Sequence, residues 1–214
     1  LLEPLRAAQP EPAVVLVHQQ LVDAAQARPQ PLAPPLRLDL VALQVLDLAP
    51  GVGELVRRGG GGAAHRRHAR LDRGAGPDQS QAYLHFSGGY GHQHADLLGI
   101  TLYSHGHERL CDIGYTHTRH RFWTLSTLAH NTVTVNGEDQ AYGSEREPSD
   151  GNLLLYLPGN DLFQAIEASG DRAYPNIIST YRRLILQIGL SSEHTYYVDL
   201  FKVAGGSRHE YTLV

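Results

Sequence analysis

The sequence predicts an all-β protein, an antiparallel β-sandwich that is incomplete, over residues 80–214. Short apolar runs there are broken by turn chemistry, helical periodicity is weak, and every Tyr, Phe and Trp lies at or beyond Tyr83. Leu97 to Tyr103 reads as a strand, Ser104-His105-Gly106-His107 as a turn, and Arg109 to Ile113 as the returning strand. Asn131 to Val135 alternates Thr and Val before Asn136-Gly137, a dipeptide suited to the two left-handed positions of a type I′ hairpin. Leu153 to Leu157, Leu162 to Ala168, Tyr181 to Ile188 and Thr195 to Val203 supply further strands, punctuated by Gly159-Asn160, Ser169-Gly170 and Gly205-Gly206. The last strand, His209 to Val214, meets no turn, so the sandwich is expected to be cut off.

Residues 1–79 differ in kind. They use only ten residue types, Leu, Glu, Pro, Arg, Ala, Gln, Val, His, Asp and Gly. Those types make up roughly 60% of average composition, so an unbiased run of this length has a probability on the order of 10⁻¹⁷. All ten can be encoded by codons beginning with G or C, whereas the missing ten need A or T first. A GC-rich gene read one base out of register would give this pattern, and residues 1–79 are expected to be such an out-of-frame translation without a native domain. The alternative is a natural Ala/Pro/Arg-rich linker, disordered for want of aromatic and β-branched residues. Sequencing the source DNA across codons 75–85 separates the two. No chemistry is assigned to His18, His65 or His68 on either reading.

The formal net charge of −4 and the absence of a basic stripe speak against a nucleic-acid partner. No apolar run approaches the ~20 residues of a membrane helix. Cys111 is the only cysteine, so no intrachain disulfide forms; its alternation with Asp112 predicts a buried, inert thiol. Methionine is absent even at position 1, and a piece of a longer protein is expected.

Eight of the thirteen histidines lie between His85 and His130. His92-Gln93-His94 spaces two imidazoles two residues apart, on one face if the segment is an extended strand. Asp112 follows the next strand candidate and His130 opens the one after. Two imidazoles and a carboxylate suit zinc, with a fourth position left for water or another group. The competing reading is a set of histidines hydrogen-bonded within a polar face. His105 and His107 share the spacing but flank a turn glycine and read as exposed; His117 and His120 read as loop residues.

The ordered set Gly91-His92-Gln93-His94-Ala95-Asp96, Leu102-Tyr103, Cys111-Asp112-Ile113-Gly114-Tyr115, Trp123 and Thr127 through Gln140 resembles the C-terminal domain of heparinase II/III-type polysaccharide lyases. Tyr181-Arg182-Arg183 and Tyr197 through Val203 resemble later strands of that domain, and the likeness covers roughly residues 83–214. It implies that His92 lines a catalytic cleft, that His94, Asp112 and His130 hold zinc, and that Tyr115 contacts substrate and joins in catalysis. Arg121 suits a substrate carboxylate because guanidinium matches it as a fork. Asn131 is expected to bind or orient beside His130, and Asp96 to cap local backbone. Gln93 departs from the glycine usual in the family.

The resemblance further implies β-elimination on an acidic, uronic-acid-containing polysaccharide in a bacterial cell envelope or periplasm. In that family the main catalytic tyrosine comes from a preceding helical toroid, which residues 1–79, lacking tyrosine, cannot supply. The chain alone is therefore expected to be inactive. Two other classes compete: a cupin-like metalloenzyme, marked by iron and dioxygen use, and a non-catalytic carbohydrate-binding sandwich using Trp123 and Tyr115. Replacing His92 by Ala in the complete protein separates enzyme from binder.

Overall fold

A computed structural model describes residues 68–88, 93–114, 116–142, 149–159, 162–191 and 193–214, and the backbone alone of 13–22. Its strands are β1 (Ala13–Val22), β2 (His68–Arg73), β3 (Ser80–His85), β4 (Ile100–Ser104), β5 (His107–Leu110), β6 (Val133–Val135), β7 (Asn152–Leu157), β8 (Phe163–Ser169), β9 (Ile178–Gly189), β10 (Thr195–Gly205) and β11 (His209–Tyr211). One four-residue helix, α1 (Arg121–Thr124), and short 3₁₀ turns complete the described elements. A five-stranded sheet runs β1-β10-β9-β8-β7, a four-stranded sheet runs β2-β3-β4-β5, and β11 pairs with β6; every pairing is antiparallel. The all-β sandwich expectation holds.

The core lies between the layers because the strands alternate. Ala69 and Leu71 of β2, Ala82 and Leu84 of β3, and Ile100 and Leu102 of β4 point inward to meet Tyr181 and Ile185 of β9 and Tyr197, Phe201 and Val203 of β10. The intervening residues Leu184, Leu186, Val198 and Leu200 form a second apolar cluster on the other face of the larger sheet. Leu184–Leu186 of β9 and Tyr196–Val198 of β10 therefore carry apolar or aromatic side chains on both faces.

The change of composition at residue 79 is not an edge of the packed fold. β2 alternates exposed and buried positions from His68 to Arg73 in register with β3. Arg73 reaches across the layers to Thr195, with Nη1 donating to its Oγ1 at 3.1 Å. Gln164 of β8 accepts from the Asp72 N–H and donates to the Asp72 carbonyl. The reading frame of residues 1–79 is a property of the gene that packing does not test.

Both left-handed turns form, with φ of 53° and 78° at His105 and Gly106, and 58° and 73° at Asn136 and Gly137. The second is not the tip of a ladder, however. After a single bridge from Val135 to Glu138, β6 takes β11 as its partner. Asn136 accepts from the Ser207 N–H through its side chain, and its own N–H donates to Arg208. Tertiary pairing thus overrides a sound local signal. Gln140, beyond this turn, is buried and bonds Leu97 like a strand neighbour: its Oε1 accepts from the Leu97 N–H at 2.6 Å and its Nε2 donates to the Leu97 carbonyl at 3.0 Å. Replacing Gln140 by Ala strands the buried Leu97 N–H, whereas the Leu97 carbonyl keeps the Thr132 hydroxyl as a donor, and should cost about 1–3 kcal/mol. Chemical denaturation checks this, and a loss below ~0.5 kcal/mol contradicts it.

Candidate metal centre

Three connecting segments deliver the site. His94 and Asp96 lie on irregular backbone ahead of β4, whereas the sequence suggests a strand for the HxH pair. The carbonyl of Asp96, not its side chain, takes the Gly99 N–H, closing a turn in which Leu98 has φ of 60°. Asp112 follows β5 by two residues, and its Oδ1 accepts from the Gly114 N–H at 2.6 Å. His130 caps the 3₁₀ turn Thr127–Ala129 just before β6. Buried polar residues in loops need partners, and here those partners set the geometry of the site.

The donor atoms converge. His94 Nδ1 lies 2.8 Å from His130 Nε2 and 3.5 Å from Asp112 Oδ1, and His130 Nε2 lies 3.9 Å from Asp112 Oδ1. Asp96 joins them, and one donor from each of the four residues lies within 4.8 Å of every other. The His94 and His130 side chains are 9% and 3% exposed, while that of Asp112 is 41% exposed on the open side. His130 Nδ1 faces the Ser126 carbonyl at 2.7 Å. A carbonyl only accepts, so Nδ1 carries the proton and Nε2 presents its lone pair inward.

Behind Asp96 stands His85 of β3, its Nδ1 3.4 Å from Asp96 Oδ2 and its Nε2 against Ser87. Burial pulls the His85 imidazole down, but pairing with Asp96 outweighs it and the net shift is upward. Burial pushes Asp96 up, yet His85 and the two cluster imidazoles bring it below the ordinary carboxylate range. Sequence reasoning missed Asp96 as a donor and His85 altogether. The available signal was a carboxylate two residues beyond His94, repeating the HxH spacing.

A cavity of about 230 Å³ at the cluster is lined by His85, Asp96, Asp112, His130 and Asn131, among others. An adjoining one of about 400 Å³ follows β3–β5 and shares Tyr83, Thr101, Cys111 and Asp112 with it. Together they form a trough with the cluster at one end. Cys111 is half-buried and lines both, so the expected core thiol is instead a wall of the trough, because Cys111 lies beyond β5 and escapes its alternation. Asn131 spends its amide on backbone: Nδ2 donates to the Cys111 carbonyl at 2.9 Å and Oδ1 accepts from the Val214 N–H at 2.7 Å. That favours its orienting part over substrate binding. Arg121 is exposed at the start of α1, with Nη1 3.4 Å from His117 Nδ1, and is not among the described residues lining the cavity at the cluster. His92 and Tyr115 lie outside the described residues. Tyr181 is no substitute for a catalytic tyrosine, being fully buried, bonded to Thr132 and Gln140, and pushed up to about 12, chiefly by burial.

Fold and site together define a β-sandwich domain with a histidine–carboxylate cluster at one end of a surface trough. The chain belongs to the heparinase II/III-like C-terminal family, whose profile matches residues 80–211. It is 28% identical over 142 residues to an exo-oligoalginate lyase of Saccharophagus degradans, an alignment covering 59% of this chain and 19% of the relative. The chain thus spans about a fifth of the length of that relative. Among solved structures it is similar to a heparinase III gene product (13% identity, TM-score 0.47, 70% of this chain and 34% of the other). It is also similar to a mutant of the heparan sulfate lyase HepC from Pedobacter heparinus (11% identity, TM-score 0.49, 70% and 35%). Among the described residues, no helix is long and apolar enough to cross a membrane.

Proposed function

We propose that this chain forms the sandwich part of a polysaccharide lyase cleaving uronic-acid-containing polysaccharide by β-elimination, with zinc held by His94, Asp112 and His130. The lyase reading is supported by a family match that spans the whole site segment. The zinc reading is carried by the donor triangle. Ligands ~2.0–2.1 Å from a tetrahedral ion lie ~3.3–3.4 Å apart, and the edges of 2.8, 3.5 and 3.9 Å bracket that value. His94 Nδ1 carries the proton that it shares with His130 Nε2, because the latter presents a lone pair; holding an ion at Nδ1 would move that proton to the other ring nitrogen of His94.

When bound, zinc supplies charge that braces the loops around the cleft. The reaction needs three things from side chains. A cation or hydrogen-bond donor must neutralise the uronate carboxylate so that C5 can lose its proton. A base must take that proton while the electron pair forms the C4–C5 double bond. An acid must protonate O4 as the C4–O4 bond breaks. His92 and Tyr115 are the proposed cleft residues for proton handling and substrate contact, and Arg121 the proposed partner of a substrate carboxylate. The principal tyrosine is assigned to a helical toroid preceding the sandwich, and the setting to a bacterial cell envelope or periplasm.

Cleavage of uronic oligosaccharides, followed by the ultraviolet absorbance of unsaturated product, tests this. The protein carrying its toroid is expected to cleave and the His92→Ala form to bind substrate without cleaving, while the present chain alone releases no product. Cleavage undiminished in His92→Ala, or by the isolated chain, overturns the assignment.

A further inference from the structure

Asp96 is 8% exposed, in an environment where an uncompensated carboxylate costs several kcal/mol. His85 Nδ1 stands at ion-pair distance from it but finds no aligned hydrogen-bond acceptor among the described residues. That contact is longer than the ~2.7–2.9 Å of a charge-assisted hydrogen bond, so it does not use up the carboxylate. Among the described residues, the remaining neighbours that compensate Asp96 are the cluster donors, all within 4.8 Å. A divalent ion held by two imidazoles and Asp112 alone would keep one positive charge in a site whose histidine side chains are 9% and 3% exposed. A second carboxylate brings the centre to neutrality.

We propose that Asp96 is the fourth protein ligand of the metal and that His85 is the outer partner orienting it, closing an N₂O₂ shell. This rests on the zinc reading above. Four protein ligands mark a structural site, whereas a catalytic zinc keeps an open position. The ion then has no place for water or a substrate oxygen. It fixes the segments 93–99, 111–114 and 126–131 against one another, and proton transfer falls entirely to side chains.

Metal binding by the 214-residue chain is the test. Zinc content is measured by elemental analysis, affinity by competition with a chromophoric chelator, and coordination by the visible spectrum after cobalt(II) replacement. The wild-type chain is expected to give an intense four-coordinate cobalt spectrum that added azide leaves unchanged. Asp96→Asn should lose at least ~10²-fold in affinity, and His85→Asn ~10–100-fold, the range for outer-shell partners. Wild-type affinity in Asp96→Asn, or an azide-shifted spectrum of the wild-type chain, overturns the fourth-ligand inference and leaves the three-ligand site standing. The azide arm needs no variant to fold. A wild-type chain that takes up no zinc overturns both readings.

Discussion

Asp199→Ala should destabilise the domain by about 3–5 kcal/mol, the range for removing one partner of a buried ion pair. Arg183 is fully buried on the core face of β9, and Asp199 faces it from β10. Its five N–H donors are all used. Nε and Nη2 meet the two Asp199 oxygens, Nη2 also reaches the Tyr211 hydroxyl, and Nη1 donates to the carbonyls of Leu98 and Asn131. Burial pulls the guanidinium down, but the facing carboxylate more than reverses that, so the charge stays. Loss of Asp199 leaves it unpaired in the core. The double change Arg183→Met with Asp199→Leu should recover only part of the loss, because the Leu98 carbonyl loses its donor, whereas that of Asn131 keeps the Ile100 N–H. Urea unfolding of the three forms decides it; a single-variant loss below ~1 kcal/mol, small for a buried pair, would show that the pair is not fully desolvated in solution.

The same contact joins stability to the site. Leu98 closes the turn that follows Asp96, and Asn131 adjoins His130, so one guanidinium of the larger sheet braces two of the three donor segments. Interactions of this kind are what turn a set of loops into a preformed cluster.

Zinc at about a thousandfold excess over its dissociation constant should stabilise the wild-type chain by about 4 kcal/mol, since binding to the native state alone adds RT ln(1 + [L]/Kd). His130→Ala should gain nothing from the same concentration. His130 carries this expectation because its inward Nε2 is poised by the Ser126 carbonyl and its side chain is only 3% exposed. Thermal unfolding with and without zinc measures both. An equal gain in the variant would place the metal elsewhere on the chain.

Much of the fold follows from local chemistry. The runs around β7 to β10 announce themselves by apolar stretches between glycine turns; His105-Gly106 turns where a turn is expected, and Asn136-Gly137 turns with the left hand its type I′ chemistry predicts. β2 and β3 were not foreseen. β2 has only Ala69 and Leu71 as apolar inward residues and is flanked by charge, so its burial depends on the sheet it joins. α1 was hidden for a similar reason, four residues being too few for a periodic signal.

The site divides along the same line. Sequence alone determined which residue types are available and their order, His94, then Asp112, then His130, within a segment whose family profile matches residues 80–211. Tertiary structure decided how they meet. It set His130 in one tautomer through a carbonyl four residues back, turned the Asn131 amide to backbone, and brought Asp96 and His85 into the cluster. Spacing along a chain fixes direction only within a regular element, where side chains repeat every two or 3.6 residues. These donors stand on irregular backbone, so their directions come from individual turns, as at Ser126 and Gly114, and from cross-segment contacts, as between His94 and His130, rather than from a periodic pattern.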